Sequence, residues 1–274
     1  MAYKRILTIQ DISCVGQCSM TVAMPILSAC GHETCILPTA VLSTHTGGFG
    51  KPAVVHLDRE LKAMWRHWQE NDITFDAIYT GYLGSVGAVK AAMEIAEHWL
   101  APGGLLIVDP AMADHGKRYS GLDEAYADAM AGLCAKADIL LPNVTEAAML
   151  TNREYREELT EDYVRELLME LPPKSVVLTG VGWEPGTTGI AIREGERFCH
   201  ISHPKAERSF HGTGDAYAAA FVGALMGEKT VEQAAKIAAE YVYRCIELTM
   251  EAPAHWYGIR FEAALGDLMR SLEK

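Results

Sequence analysis

Short apolar runs alternate with helix-length amphipathic segments along most of this chain, and this alternation constrains the fold more than any other feature. The runs are almost continuously apolar, which is typical of strands buried on both faces. Because strands separated by helices pair in parallel through right-handed crossovers, the pattern predicts a doubly wound α/β sandwich. The predicted strands are Arg5–Ile9, Thr34–Pro38, Ala77–Thr80, Leu105–Asp109, Ile139–Pro142 and Ser175–Thr179.

The pattern changes once, near the C-terminal third. Gly189–Arg193 and Arg197–Ser202 alternate in polarity around Glu194-Gly195-Glu196, which predicts a small β-hairpin. No linker or internal repeat is visible, so we expect residues 1–274 to form a single domain. The predicted helices are Met20–Cys30, Arg59–Asn71, Val86–Leu100, Ala125–Ala135, Glu161–Glu170, Asp215–Met226, Val231–Met250 and Phe261–Leu272.

Charge and cysteine content narrow the classes of function. The formal net charge is −12, which disfavours binding to nucleic acid or to an anionic membrane. No run of about 18 apolar residues is present, so we expect no transmembrane helix. The first residues lack the features of a signal peptide, and the seven cysteines contain no Cys-x-x-Cys pair. These observations predict a cytoplasmic protein with reduced thiols.

Every predicted strand of the sheet ends in hydroxyl, amide or carboxylate groups. In open α/β sheets ligands bind outside the carboxyl ends of the strands, so these groups are expected to line one site. They are Gln10, Asp11 and Ser13 after the first strand, Ser43-Thr44-His45-Thr46-Gly47-Gly48, Thr80-Gly81-Tyr82, Asp109-Pro110 with Asp114, Asn143 with Glu146, and Thr179-Gly180.

The segment His211-Gly212-Thr213-Gly214-Asp215 runs directly into an alanine-rich apolar helix. Its glycines let the backbone approach a ligand closely, and the helix directs free N–H groups and its positive dipole end at the loop. This arrangement suits an anion such as a phosphate. Asp215 is then expected to accept a proton from a substrate hydroxyl. The alternative is that Asp215 is an ordinary N-terminal cap.

Asp109, Asn143 and Glu146 favour the catalytic interpretation, although each has a structural alternative. Asp109 ends a strand before a proline, which fits either a turn or an acidic group near a magnesium–triphosphate complex. Asn143 and Glu146 fit either a helix start or a metal-linked role, and the two are compatible if Glu146 acts through metal-bound water. The P-loop, the dinucleotide-binding glycine motif and the Gly-x-Ser-x-Gly elbow are all absent from the sequence.

Together these motifs make the chain resemble the pyridoxal kinases of the ribokinase-like superfamily over nearly its whole length. Each motif is weak alone, but their order and spacing are specific. They are Thr8-Ile9-Gln10, Ser43-Thr44-His45-Thr46-Gly47, Thr80-Gly81-Tyr82, Val108-Asp109-Pro110, Ala137-Asp138-Ile139, Pro142-Asn143 with Glu146, Val177-Leu178-Thr179 and Gly212-Thr213-Gly214-Asp215.

The resemblance implies ATP-dependent phosphorylation of the 5′-hydroxymethyl group of pyridoxal, pyridoxine or pyridoxamine. Asp215 matches the catalytic base, and the backbone from Gly212 through Thr213 to Gly214 matches the anion hole. Thr46 and Tyr82 match the pyridine pocket, beside which we place His45 because it lies in the same polar loop.

The resemblance also implies a nucleotide site and its ions. The ATP-binding assignments are Asp109, Asn143, Glu146, Thr179 and Thr213. The magnesium assignments are Asp109, Asp114 and Glu146, with Asp114 and Tyr119 in a loop that in the family reaches over the nucleotide. Members of the family are typically homodimers and often use potassium beside magnesium.

Asp11 departs from the family pattern, which usually places serine at this position against the substrate ring. An aspartate would pair with a protonated ring nitrogen or an exocyclic amine, favouring pyridoxamine or an aminopyrimidine. Hydroxymethylpyrimidine kinase, with the same fold and anion hole, is therefore the first alternative. A catalytically silent B6-binding protein is an alternative of a different class, disfavoured by the intact Asp215 and glycines.

Overall fold

The computed structural model describes residues 3–273. Met1 and Ala2, which belong to the stretch considered above as a possible signal peptide, lie outside the described residues, as does Lys274. One nine-stranded sheet organises the chain, in the order β11-β10-β9-β8-β5-β4-β1-β2-β3, and β6 pairs with β7 separately. The strands are β1 (Arg5–Ser13), β2 (Glu33–Leu42), β3 (Val54–His56), β4 (Phe75–Thr80), β5 (Leu100–Val108), β6 (Ala113–Asp114), β7 (Lys117–Arg118), β8 (Ile139–Leu140), β9 (Ser175–Thr179), β10 (Thr187–Glu194) and β11 (Arg197–Pro204).

Helices cover both faces of this sheet. Helices α1, α7, α8 and α9 pack on one face, and α2 to α6 pack on the other, each face with its own apolar core. They are α1 (Met20–Ala29), α2 (Asp58–Glu70), α3 (Val86–Trp99), α4 (Glu124–Cys134), α5 (Val144–Leu150), α6 (Glu161–Glu170), α7 (Thr213–Met226), α8 (Val231–Met250) and α9 (Leu265–Leu272), the last preceded by a short 3₁₀ helix at Phe261–Ala264.

The sheet is mostly parallel, as predicted. Strands β2, β1, β4, β5, β8 and β9 run parallel, while β3, β10 and β11 pair antiparallel at the two edges. The predicted hairpin is β10–β11, with Glu194 paired to Arg197 across the turn. The doubly wound fold with a C-terminal hairpin is therefore confirmed.

The end of the first strand was predicted too early. Strand β1 continues past Ile9 to Ser13, so Gln10, Asp11 and Ser13 lie within the strand rather than after it. A register shift between Gln10 and Ile12 lets β1 keep pairing with β2. Such a bulge reorients local side chains, and the sequence carries no glycine to announce it.

Four short elements escaped the sequence prediction: β3, β6, β7 and α5. Their lengths are three, two, two and seven residues. Periodicity needs longer windows than these to be recognised. For α5, the sequence analysis considered a helix start at Asn143 only as an alternative to a metal-linked role. The structure shows that the helix forms, with Asn143 as its cap.

Helix α7 lies against the sheet and is buried along nearly its whole length after its first turn. Its small residues allow close packing, and a Cβ at Gly223 would lie 2.4 Å from Cys30 Sγ of α1. Only its N-terminal turn reaches the edge of the core, which brings Asp215 to the site described below. Within residues 3–273, no helix is long and apolar enough to cross a bilayer, and the seven cysteines are free thiols.

Candidate active site

A cavity of about 730 Å³ opens at the carboxyl ends of the parallel strands. The structure brings the residues that were given catalytic, substrate, nucleotide or metal roles to the wall of this one cavity. They are Asp11, His45, Thr46, Tyr82, Asp109, Asp114, Asn143, Glu146, Thr179, Gly212, Thr213, Gly214 and Asp215. Seven of the other strand-end residues expected there do not line it: Gln10, Ser43, Thr44, Gly48, Thr80, Gly81 and Pro110.

The N-terminus of α7 forms the middle of the cavity wall. Gly212 caps the helix with φ 81°, a left-handed conformation that favours glycine, and no side chain caps the first turn. A Cβ at Gly212 would lie 2.0 Å from the Gln17 carbonyl oxygen. The first N–H groups of the helix have no intrahelical partner by position. They are therefore available to an anion in the cavity.

Asp215 is the third residue of α7 and is not the helix cap. The capping alternative is thus wrong for this residue. Burial, with a smaller contribution from the charge of the nearby Asp11, raises the pKa of Asp215 to about 6, and the backbone N–H of Ser19 opposes the shift. A carboxylate with this pKa is ionised at neutral pH and is a better base than an exposed aspartate.

Asp109 and Glu146 add negative charge at the neighbouring wall. Burial raises the pKa of Asp109 well above its ordinary value, and the charges of Glu146 and Asp215 act in the same direction. Burial also raises the pKa of Glu146 to about 7, although three backbone N–H groups oppose this. Carboxylates packed this closely are stabilised by a cation.

Asn143 and Glu146 form a capping box at the start of α5. The Asn143 side chain accepts a hydrogen bond from the Glu146 N–H (3.0 Å), and Glu146 Oε2 accepts one from the Asn143 N–H (2.9 Å). The helix-start interpretation is therefore shown. Because both residues also line the cavity, it does not exclude a second role there.

The donor set suits a magnesium ion carried by a nucleotide better than a metal cage made of protein alone. In the part of the chain that the structure describes, no three His, Cys, Asp or Glu side chains surround a common point. Nucleotide-bound magnesium needs only one or two carboxylates besides phosphate and water. Asp109 accepts one backbone hydrogen bond, from Ala111 at 3.1 Å, and so retains acceptor capacity for a cation.

Asp11 lies on β1, which β4 separates from β5 and the Asp109 that follows it, and is 3% exposed. Ser13 Oγ donates to Asp11 Oδ2 at 3.1 Å, and the Asp11 N–H donates to the Tyr82 carbonyl at 3.2 Å. Burial raises the pKa of Asp11, while the hydroxyls of Ser19 and Ser13 lower it. Asp11 thus offers a buried acceptor to a donor group on a ligand.

Ser19 lies beside the two carboxylates and was missed in the sequence. Its hydroxyl lowers the pKa of Asp11, and its backbone N–H lowers the pKa of Asp215. Ser19 is buried and has φ 52° and ψ −128°, a conformation that non-glycine residues rarely adopt. The only signal in the sequence is a serine before an apolar helix, which also fits a simple cap.

His45 has both ring nitrogens engaged within the protein. Nδ1 accepts from the Gly47 N–H at 2.9 Å, so Nε2 carries the proton and donates to the Tyr257 carbonyl at 2.7 Å. This bond ties the loop after β2 to the segment 251–260, here called the C-terminal loop. In the same contact region, the ring centroids of Phe49 and Trp256 are 4.8 Å apart. A ligand would therefore meet the face of the His45 ring.

The remaining predicted residues lie at the cavity wall with fewer internal contacts. Thr46 is exposed on the loop after β2. The Tyr82 ring lies 6.5 Å from that of Tyr119, which reaches across from the β6–β7 side. Thr179 donates from its N–H to the Pro142 carbonyl at 2.9 Å, which joins the ends of β8 and β9.

Comparison with known proteins identifies the family. The family model described as phosphomethylpyrimidine kinase matches residues 27–258. The chain belongs to this family of ribokinase-like kinases. Members of the phosphomethylpyrimidine kinase family at this level of similarity are named both pyridoxal kinases and hydroxymethylpyrimidine kinases.

Two solved structures of similar proteins cover almost the whole chain. A Bacteroides thetaiotaomicron protein, provisionally named a phosphomethylpyrimidine kinase and crystallised with pyridoxal, is 31% identical, with a TM-score of 0.91 and coverage of 97% of this chain and 96% of that one. The pyridoxal kinase of Lactobacillus plantarum is 31% identical, with a TM-score of 0.88 and coverage of 99% and 97%.

A curated relative carries the other activity of the family. The hydroxymethylpyrimidine/phosphomethylpyrimidine kinase of Bacillus subtilis is 28% identical over 183 residues, which are 65% of this chain and 66% of that protein. Family membership therefore establishes a kinase and leaves two acceptor classes, the B6 vitamers and the hydroxymethylpyrimidines.

Proposed function

We propose that this kinase transfers the terminal phosphoryl group of ATP to the 5′-hydroxymethyl group of a B6 vitamer. The observation that carries the proposal is the position of Asp215. It lies in the first turn of α7, near both Asp11, whose charge raises the pKa of Asp215, and Asp109, whose pKa is raised by the charge of Asp215. An alcohol bound beside Asp11 and a triphosphate bound beside Asp109 would meet at this carboxylate.

Asp215 accepts the hydroxyl proton as the new O–P bond forms and the bond to the ADP leaving group breaks. The backbone N–H groups of Thr213 and Gly214 stabilise the charge on the transferred group. Most of the acceleration comes from positioning the reactants and neutralising charge, because phosphoryl transfer from a phosphoanhydride to an alcohol requires little covalent chemistry from the enzyme. The product of this reaction with pyridoxal is pyridoxal 5′-phosphate.

The nucleotide binds at the part of the cavity wall that contains Asp109 and Glu146. Magnesium, when bound with ATP, neutralises the phosphate oxygens. Asp109 is the carboxylate best placed to hold it, with Asp114 at the cavity rim, and Thr179 contacts the nucleotide. A potassium ion beside magnesium belongs to the same proposal, on the strength of the family resemblance.

B6 vitamers are preferred as acceptors because the more completely matched relatives point that way. The Bacteroides protein was crystallised with pyridoxal, and the Lactobacillus protein is named a pyridoxal kinase. Each of them matches this chain over nearly its full length. Hydroxymethylpyrimidine is the second candidate, favoured by the buried Asp11, which suits an exocyclic amine. A catalytically silent B6-binding protein would not need Asp215 and an uncapped α7 turn.

A substrate panel tests the proposal. The protein is incubated with ATP, magnesium and pyridoxal, pyridoxine, pyridoxamine or hydroxymethylpyrimidine, and the phosphorylated product is measured by mass spectrometry. We expect the highest kcat/KM with a B6 vitamer. Product from hydroxymethylpyrimidine alone would select the second candidate, and no product from any of the four would contradict the proposal.

We also propose a homodimer, as the family resemblance implies. Strand β3 is an outer strand of the sheet, and its Val54 and Val55 are 43% and 61% exposed. Apolar side chains on an unpaired edge strand favour association with another chain.

A further inference from the structure

A β-hairpin at the rim of the cavity is fastened to the first turn of α5. The hairpin consists of β6 and β7, joined by His115 and Gly116. Glu146 Oε1 accepts hydrogen bonds from the N–H groups of Met112 (2.9 Å) and Ala113 (3.4 Å) just at its start. These bonds span more than thirty positions of the chain, so they link two separate elements.

Two further contacts complete the attachment. Asn143 Nδ2 donates to the Ala113 carbonyl at 2.7 Å. The Gly116 N–H, in the turn of the hairpin, donates to Thr145 Oγ1 at 3.0 Å. The cap of α5 and two side chains of its first turn therefore hold the base and the tip of the hairpin.

The hairpin has a backbone that needs such support. Ala111 and His115 have φ 30° and φ 49°, in the left-handed region that is unfavourable for residues with a Cβ. Strained residues persist when their surroundings hold them in place. Here the surroundings are the backbone and side-chain bonds to α5.

Both carboxylate oxygens of Glu146 are occupied by this arrangement. Oε1 faces the hairpin amides, and Oε2 accepts from the Asn143 N–H at 2.9 Å. Binding a metal ion directly would compete with hydrogen bonds that are charge-assisted and buried. Asp109 beside it accepts only one such bond, from Ala111.

We infer that Glu146 is a positioning residue, which holds the hairpin Ala113–Arg118 at the rim of the cavity and does not coordinate magnesium. This inference differs from the metal assignment made from the sequence. Its consequence for catalysis rests on the proposed function: the hairpin carries Asp114 and precedes Tyr119, and both line the cavity. Glu146 would then act on the phosphate side only through the residues that it places.

Limited proteolysis measures the attachment without any substrate. Lys117 and Arg118 are exposed trypsin sites within the hairpin, whereas Arg193 is buried and reports global unfolding. We expect Glu146→Gln to accelerate cleavage after Lys117 and Arg118 by about tenfold or more relative to Arg193, because the amide lacks the negative charge and offers one acceptor oxygen where the carboxylate uses two. Thr145→Val, which loses only the Gly116 bond and keeps the charge, should accelerate it less.

The second readout is the effect of magnesium on ADP binding, measured by calorimetry with and without the ion. For Glu146→Gln we expect the ratio of the two Kd values to change no more than it does in Asp114→Asn, since Glu146 acts on the ion only through the hairpin that carries Asp114. Glu166→Gln, on the exposed face of α6 and paired with Arg153, is the matched control for loss of one carboxylate.

Two results would overturn the inference. One is unchanged hairpin cleavage in both Glu146→Gln and Thr145→Val. The other is a larger loss of the magnesium effect on ADP binding in Glu146→Gln than in Asp114→Asn, at any cleavage rate. Cleavage requires no acceptor alcohol and no nucleotide, so failure of the substrate panel would leave this readout intact and would count against the proposed function alone.

Discussion

At the scale of single residues, Asp215 is subject to two opposing demands. The site needs it ionised and basic, while its partly enclosed position disfavours the charge and raises its pKa to about 6. The folded protein therefore holds the Asp215 proton more tightly than the unfolded chain does. It follows that the ionised carboxylate lowers stability above pH 6, and that this cost disappears as the pH falls below the ordinary aspartate value.

The variant Asp215→Asn should distinguish the benefit of the Asp215 charge for catalysis from its cost to stability. We expect kcat to fall by roughly 10²–10⁴-fold, as for other general bases. The free energy of unfolding at pH 8 should rise by about 1–3 kcal/mol, since a disfavoured charge is removed, and the gain should shrink toward pH 4. Urea denaturation at the two pH values and steady-state kinetics measure both effects. A near-normal kcat in the variant would refute the role of Asp215.

Asp11 permits a prediction about substrate preference. Asp11→Asn keeps the shape of the side chain and removes the charge that would attract a protonated ring nitrogen or an amine. We expect kcat/KM for pyridoxamine and hydroxymethylpyrimidine to fall about 10-fold or more, and for pyridoxal to fall less, since hydrogen bonds to charged groups are the stronger ones. Competition kinetics measure the ratios; equal losses for all substrates would exclude selection by Asp11.

At the scale of elements, the first turn of α7 has two glycines with different surroundings. Gly212 has a left-handed φ of 81° and the Gln17 carbonyl within 2.0 Å of a built Cβ, whereas no atom lies within 4 Å of a Cβ built at Gly214. The first glycine is needed by the fold. The second leaves space that only a ligand would use.

Alanine substitutions test this difference. Gly212→Ala should lower the free energy of unfolding by about 1–2 kcal/mol or more, through backbone strain and the clash with Gln17. Gly214→Ala should leave stability unchanged or raise it by about 0.5–1 kcal/mol, while the KM for ATP rises because a methyl group enters the anion site. Thermal unfolding and ATP titration measure the pair. An unchanged KM in Gly214→Ala would argue against phosphate at this turn.

The elements also show what could be read from the sequence. Long segments such as α6 and α8 were predicted with the observed bounds, because their apolar periodicity extends over several turns. The residues that were assigned a role in binding or catalysis lie at one cavity, because carboxyl ends of parallel strands converge, whereas strand-end residues such as Gln10 and Thr80 are buried away from it. The position of Ser19 and the long-range hydrogen bonds of His45 and Glu146 could not be predicted, since each depends on partners distant in sequence and on a local backbone geometry that no motif encodes.

At the scale of the whole molecule, negative charge and function have to be reconciled. The formal net charge of −12 would repel a triphosphate at long range. The cavity offsets this locally, through the first N–H groups of α7 and a wall of carboxylates suited to a divalent cation. The protein therefore attracts the triphosphate only at short range, through groups that lie where the phosphate is expected to bind.

The proposed homodimer can be tested with one charge on the exposed edge. Val55→Lys places a cation on β3 and should convert the dimer to monomer in analytical ultracentrifugation, because a buried unpaired charge is unfavourable in an apolar interface. Met169→Lys, at a 66% exposed position on α6, is the matched control. A wild-type protein that sediments as a monomer, or a Val55→Lys protein that remains dimeric, would contradict this assignment.

The bond between His45 and the Tyr257 carbonyl has a consequence for biosynthesis. The loop it fixes follows the second strand of the chain, but its partner lies 212 residues later and leaves the ribosome long after it. Gln17 depends on the same part of the chain, through hydrogen bonds to His255 and Glu262. A nascent chain can thus assemble much of its sheet during translation, yet it acquires a competent pocket only after the C-terminal loop has been made.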